Sequence, residues 1–192
     1  MIAVNKYVNR QHLLQYSLDE QLIHGMRVSN LAYQVAKELG ESEEFCHDLA
    51  VAGMLHDIGK EAVSGDLDDM DAPLIVEEIH YVRLHAQASY EILKKEGYKE
   101  TILLAVRHHH ENYDGSGYPD NLSGEAIPLG ARIIRVCDVY AALTSDRPYR
   151  QAFESQSAVQ LMIEEIKDFD VKVFLAFQRM IHKNKEKEIT LW

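Results

Sequence analysis

Apolar residues recur at three- and four-residue intervals along most of this chain, and no stretch alternates as a β-strand would. That periodicity constrains the fold more than any other feature. Leu22, Ile23, Met26, Leu31, Val35 and Leu39 keep helical spacing. Ser17-Leu18-Asp19-Glu20 reads as a capping box, with Ser17 as N-cap, and Gly40 closes the same helix. A second helix begins at Ser42 and stops at "HDIGK", where Gly59 suits a C-terminal turn. The acidic stretch 61–71 has no period and reads as a loop. Pro73 opens a helix reaching Gly97, and further helices are expected over 99–110, 130–145, 155–167 and 171–183, followed by a charged tail.

Residues 112–130 hold four of the ten glycines and two of the four prolines, which makes them a long loop. Structureless loops beyond roughly 12–15 residues are usually functional. The expected fold is all-α, a compact bundle of about seven helices with one long functional loop. Residues 1–16 read as an N-terminal helical extension, 17–152 as the core, and 153–192 as C-terminal helices completing the same domain. At 192 residues the chain can bury a real core.

Charge and cysteine content narrow the functional classes. A formal net charge of −11 argues against a general grip on duplex DNA, which needs a basic face. No apolar run approaches 18 residues and no charged-then-apolar leader precedes residue 20, so neither a membrane span nor a signal peptide is expected. Cys46 and Cys137 lie inside apolar helical patterns, as buried free thiols of a reducing cytoplasm would.

Ten histidines are the compositional oddity, and several sit where packing calls for an apolar side chain. His24 shares a stripe with Val28, Leu31 and Val35. A lone inward histidine is usually satisfied by a backbone carbonyl, but Glu20 lies four residues earlier on the same face. Capping and metal ligation compete for that carboxylate. His56-Asp57 falls at a helix end, with Lys60 three residues on, which supplies an imidazole, a carboxylate able to bridge two cations, and an ammonium for a phosphate.

His85 shares a face with Ala88 and Ile92. His109 shares one with Ile102 and Val106, His110 marks the frayed end of that helix, and His108 points elsewhere, toward solvent or behind the other two. Asp138 interrupts the apolar helix "RIIRVCDVYAAL", and a buried aspartate must be paired. A metal is the economical partner for Glu20, His24, His56, Asp57, His85, His109, His110 and Asp138 together. The mixed imidazole and carboxylate set suits iron or manganese.

"HDIGK", His85, "HHENYDGSGYP" and "RIIRVCDVYAALTSDRPYR" resemble the HD-GYP family, bacterial members of the HD phosphohydrolase superfamily that hydrolyse cyclic di-GMP. The resemblance covers roughly residues 20 to 152. It implies two or three divalent metal ions, Fe or Mn, held by those eight residues, with Glu20 at the position associated with a third ion. It implies that Asp57 and Lys60 are catalytic. Substrate contacts are expected from Lys60, Tyr118, Arg147 and Arg150, with Asp114 and Gly117 in the loop, where an ordinary Asx-type turn would also hold Tyr118 over the metals.

The implied reaction is attack of a metal-activated water on cyclic di-GMP, giving linear pGpG, GMP or both. The alternatives are a receptor that binds cyclic di-GMP without turnover, or a hydrolase of another cyclic dinucleotide. Control would come from a regulatory partner protein or a homodimer. The sequence departs from the family pattern in the acidic 61–72 segment, at Ala141 where a second aspartate is common, and at Ala86 and Ser89 in place of proline and glycine.

Overall fold

The computed structural model describes residues 18–67, 75–146 and 150–190, and among them the chain is all-α. Eight α-helices follow one another: α1 Leu18–Leu39, α2 Glu43–Leu55, α3 Gly59–Leu67, α4 Ile75–Lys95, α5 Glu100–Arg107, α6 Leu129–Leu143, α7 Ser155–Glu164 and α8 Val171–Thr190. Ser17 and Arg147 lie outside the described residues. Cys46 and Cys137 are buried free thiols, as expected. No described helix is long and apolar enough to cross a membrane.

Local chemistry sets most boundaries. The Ser42 hydroxyl accepts from Phe45 N and caps α2. Gly40 N donates to Lys37 O and Glu41 N to Ala36 O, the paired bonds that close α1. The helices pack their apolar stripes into one core. Val28 and Val35 of α1 meet Leu49 of α2, Val106 of α5, Ile133 and Ile134 of α6, Met162 of α7, and Phe174 and Phe177 of α8.

Three expectations need correction. The stretch expected to be a loop from residue 61 is helix α3 as far as Leu67. Its Val63 is buried, so packing against α4 overrides the weak local pattern. Gly59 does not terminate α2 but opens α3: a Cβ there would lie 2.4 Å from His85 O and 2.5 Å from Ser89 N, so only glycine lets α3 and α4 approach this closely. The charged tail continues α8 to Thr190. Leu22, Ile23 and Met26, which share the stripe of α1, are 44%, 57% and 62% exposed, so the buried part of that stripe begins at Val28.

Candidate metal centre

The seven inward polar residues arrive from five places in the bundle. His24 comes from the middle of α1, His56 and Asp57 from the turn after α2, His85 from α4, His109 and His110 from the turn after α5, and Asp138 from α6. The α2 helix ends at Leu55, and Ile58 N and Lys60 N donate to Leu55 O and Asp57 O. That tight turn lets two consecutive side chains face one centre. A similar turn, with Glu111 N donating to His108 O, presents His109 and His110. Helix α5 therefore stops at Arg107, three residues before the end expected, and both histidines lie in the turn rather than one on the helix face.

Asp57 occupies the middle. Its Oδ2 lies 3.3 Å from His56 Nε2 and 2.5 Å from Lys60 Nζ, and its Oδ1 lies 3.2 Å from His85 Nε2 and 3.9 Å from His109 Nε2. On one side, Asp138 Oδ1 is 2.9 Å from His24 Nε2 and 3.7 Å from His56 Nε2. On the other, His85 Nε2 is 3.3 Å from His109 Nε2 and 3.1 Å from His110 Nε2. Two sets of ligand atoms, each within 4.8 Å of one another, thus share Asp57: His24 and His56 with Asp57, and His85, His109 and His110 with Asp57.

The backbone aims the imidazoles. His56 Nδ1 sits 2.8 Å from Gly53 O and His109 Nδ1 2.5 Å from Val106 O, so each ring donates from Nδ1 and turns Nε2 to the centre. Burial strongly disfavours charge on His109 and His110, holding His109 well below the ordinary range and His110 at about 3. Burial opposes charge on His56 too, but Asp57 and Asp138 outweigh it and raise its pKa to about 10. Burial likewise opposes charge on Asp57 and Asp138. Around Asp57 it is outweighed by His56 and Lys60, and around Asp138 by His24 and His56, so both carboxyls sit well below the usual range.

This donor set fits divalent cations. His56 Nε2 and Asp57 Oδ1 are buried without a hydrogen-bond partner, an arrangement that folded proteins avoid. The Nε2 atoms of His85, His109 and His110 also face one another, burial keeps the His109 and His110 rings neutral, and converging lone pairs need an electron-pair acceptor. Imidazole with carboxylate suits first-row divalent metals.

The remaining predicted site residues divide. Lys60 is at the centre, against Asp57. Tyr118 lies on His110, ring centroids 4.8 Å apart and nearly parallel, with Arg83 5.3 Å from its ring. Gly117 makes that fold possible, because a Cβ would fall 2.2 Å from Asn112 N. Asp114 closes the Asx-type turn, its Oδ1 accepting from Ser116 N and Oγ. Arg150 donates to Leu143 O and Ala142 O at the end of α6. Glu20 is exposed in the first turn of α1 and belongs to neither ligand set.

Two residues gain roles that the sequence did not announce. Glu111 is buried, and its carboxylate accepts from Asp120 N at 2.7 Å and Leu122 N at 3.1 Å, pinning the loop beside His110. Only its place next to the ligand pair pointed to it. His108 is not solvated: it is 5% exposed, with Nδ1 3.8 Å from both Glu111 Oε1 and Asp120 Oδ2.

A helical bundle that converges five imidazoles and two carboxylates on one buried centre defines a metal-site domain built from helix ends and helix faces. The chain belongs to the HD domain family, whose model matches residues 8–173, and the Gly-Tyr-Pro loop after its histidine pair makes it one of the HD-GYP type. It is 43% identical over 136 residues to the cyclic di-GMP phosphodiesterase response regulator RpfG of Xanthomonas campestris, covering 69% of this chain and 36% of that protein. It is 34% identical over 143 residues to 3'3'-cGAMP-specific phosphodiesterase 1 of Vibrio cholerae, covering 74% of this chain and 33% of that protein. The chain thus spans about a third of the length of these relatives. Its fold is similar to that of an HD-GYP protein of Bdellovibrio bacteriovorus, with a TM-score of 0.67 at 18% identity over 87% of this chain and 55% of the other.

Proposed function

We propose that this chain is a metal-dependent phosphodiesterase that hydrolyses cyclic di-GMP to linear pGpG, GMP or both. The observation that carries the reading is the position of Asp57, one carboxylate oxygen turned to each of two imidazole sets. The relatives named as cyclic di-GMP and cGAMP phosphodiesterases support the substrate class.

His24, His56, Asp57 and Asp138 would hold one ion, and Asp57, His85, His109 and His110 a second. Glu20, one turn before His24, would serve a third. Iron or manganese suits the set. Such ions, when bound, lower the pKa of water and offset phosphoryl charge. The chain's own residues do the rest. Asp57 keeps its charge in a buried site, Lys60 supplies a cation beside it, and neutral His109 and His110 keep lone pairs directed inward. Tyr118, pinned by the loop, closes one wall with an aromatic face. Arg147 and Asp114 would contribute substrate contacts from the loops, and Arg150 would support that wall through the end of α6. We assign the chain to the cytoplasm, where its buried thiols stay reduced.

Similarity to relatives named for two different substrates gives a second reading, hydrolysis of 3'3'-cGAMP. The test is anaerobic purification, loading with Fe(II) or Mn(II), and product chromatography after incubation with cyclic di-GMP, 3'3'-cGAMP and cyclic di-AMP. Release of pGpG or GMP is expected. Binding of cyclic di-GMP without cleavage under every metal would make the chain a receptor instead.

A further inference from the structure

A cavity of about 410 Å³ opens between α1, α6 and the segment that follows α6, and no site residue assigned so far explains it. Small-molecule sites are roughly 300–1,000 Å³. Arg27, Tyr140, Ala141, Phe153 and Glu154 contribute to its lining. Arg27 follows His24 by three residues and Ala141 follows Asp138 by three, so on both helices the cavity begins one turn from the metal centre. Neighbours at that spacing lie roughly 5–6 Å apart. A dinucleotide with one phosphate at the candidate metal centre would therefore have this cavity as a neighbouring space for a base.

The outer wall is fixed in place. Phe153 N donates to Leu143 O at 3.0 Å, Ala152 N to Asp146 Oδ1 at 2.8 Å, and Tyr140 OH to Ser155 Oγ at 2.8 Å. The Arg150 guanidinium lies 4.6 Å from the Phe153 ring centroid and is tied to the carbonyls of Ala142 and Leu143. Phe153 is nevertheless 37% exposed. Glu154 is exposed, and its carboxylate has no hydrogen-bond or ion-pair partner among the described residues. Arg27 spends Nη1 on Thr144 O and Ser145 Oγ. Ala141, in place of a second aspartate, adds neither bulk nor negative charge to the lining.

We propose that this cavity receives a guanine base of the cyclic dinucleotide, with Phe153 offering a ring surface and Glu154 accepting hydrogen bonds from guanine N1–H and the 2-amino group. Guanine alone among the purines in question turns two adjacent N–H donors on that edge. Adenine turns the N1 lone pair toward the same carboxylate, so the two bases are discriminated by hydrogen-bond sign. The assignment rests on the proposed hydrolysis of a cyclic dinucleotide.

The experiment compares wild type, Glu154→Gln and Phe153→Ala, metal-loaded, on cyclic di-GMP, 3'3'-cGAMP and cyclic di-AMP, with KM, kcat and metal content measured for each. Glu154→Gln should raise KM for cyclic di-GMP about tenfold, with kcat and metal content held, because a charge-assisted acceptor pair is lost. Its KM for cyclic di-AMP should stay the same or fall. Phe153→Ala should raise KM for all three. Normal wild-type turnover with an unaltered preference in Glu154→Gln would overturn the guanine site and leave the phosphodiesterase reading standing. If wild type cleaves none of the three, that reading fails first. Equilibrium dialysis with the same ligands then decides the base site, and equal binding by wild type and Glu154→Gln, or no binding, overturns it as well.

Discussion

Gly59 N donates a 2.8 Å hydrogen bond to the buried hydroxyl of Ser89, joining the turn that carries His56 and Asp57 to the helix that carries His85. The bond satisfies one of the orphan amides at the start of α3. Ser89→Ala leaves that donor buried and unpaired, at a cost of roughly 1–3 kcal/mol. Urea denaturation should show a lower midpoint, with the m-value unchanged. Gly59→Ala should do more damage, because its Cβ would press on α4 backbone, and soluble yield and metal content should both fall.

Asp57 faces both imidazole sets, so on the proposed assignment its removal should affect both ion sites at once. Asp57→Ala should abolish hydrolysis and lower bound metal measured by plasma emission. A variant with normal turnover would falsify the bridging assignment.

Protonation sets the stability of the metal-free protein. His56 is raised to about 10, so its contribution is full below its unfolded pKa of about 6.5 and is lost as pH rises through 10. His109 and His110 are depressed, so the unfolded chain takes up protons that they refuse, and stability falls as pH drops below about 6.5. Asp57 and Asp138 are depressed too, and their contribution, present above their unfolded pKa of about 4, is lost at more acid pH. Thermal melts of the metal-free protein should therefore peak near neutral pH. With His56 as the proposed ligand, metal uptake requires it to release its proton, so apparent affinity should climb between pH 7 and 9, by at most about tenfold per unit for that one proton.

Glu111 accepts two loop amides with one carboxylate. Glu111→Ala should orphan both, costing roughly 1–3 kcal/mol for each amide left dry. Metal content should persist, while KM for the dinucleotide rises because Tyr118 loses its support. Glu111→Gln, which keeps one acceptor, should recover part of the loss. Equal KM in wild type and Glu111→Ala would remove the loop role.

Glu20 is exposed on α1 one turn before His24. Glu20→Ala should leave secondary structure intact by circular dichroism and reduce the ratio of metal to protein. An unchanged ratio, with a lower melting temperature, would assign the carboxylate to helix capping.

Polar side chains at apolar positions announced most of the centre. His24, His85, His109 and Asp138 each interrupted an apolar helical pattern, while His56, Asp57 and His110 stood at helix ends, and burial without a partner is too costly for so many groups to share by accident. Their mutual approach was legible for that reason. The α3 helix was not, because its acidic sequence carries no period and its order comes from contact with α4. The same holds for Gly59, whose place in the chain resembles a helix stop and whose actual demand is space against His85 and Ser89. Arg150 carries a second tie that its motif did not announce. Its guanidinium donates to the carbonyls that end α6.

By itself, then, the sequence determined the helical class and the identity of the inward polar residues, because periodicity and side-chain chemistry are local properties of the chain. Tertiary structure alone decided how the imidazoles divide around Asp57, which loop amides Glu111 gathers, and where a cavity opens beside the candidate metal centre. Those depend on which helices pack together and how closely, and close packing is settled by shape between segments far apart in sequence.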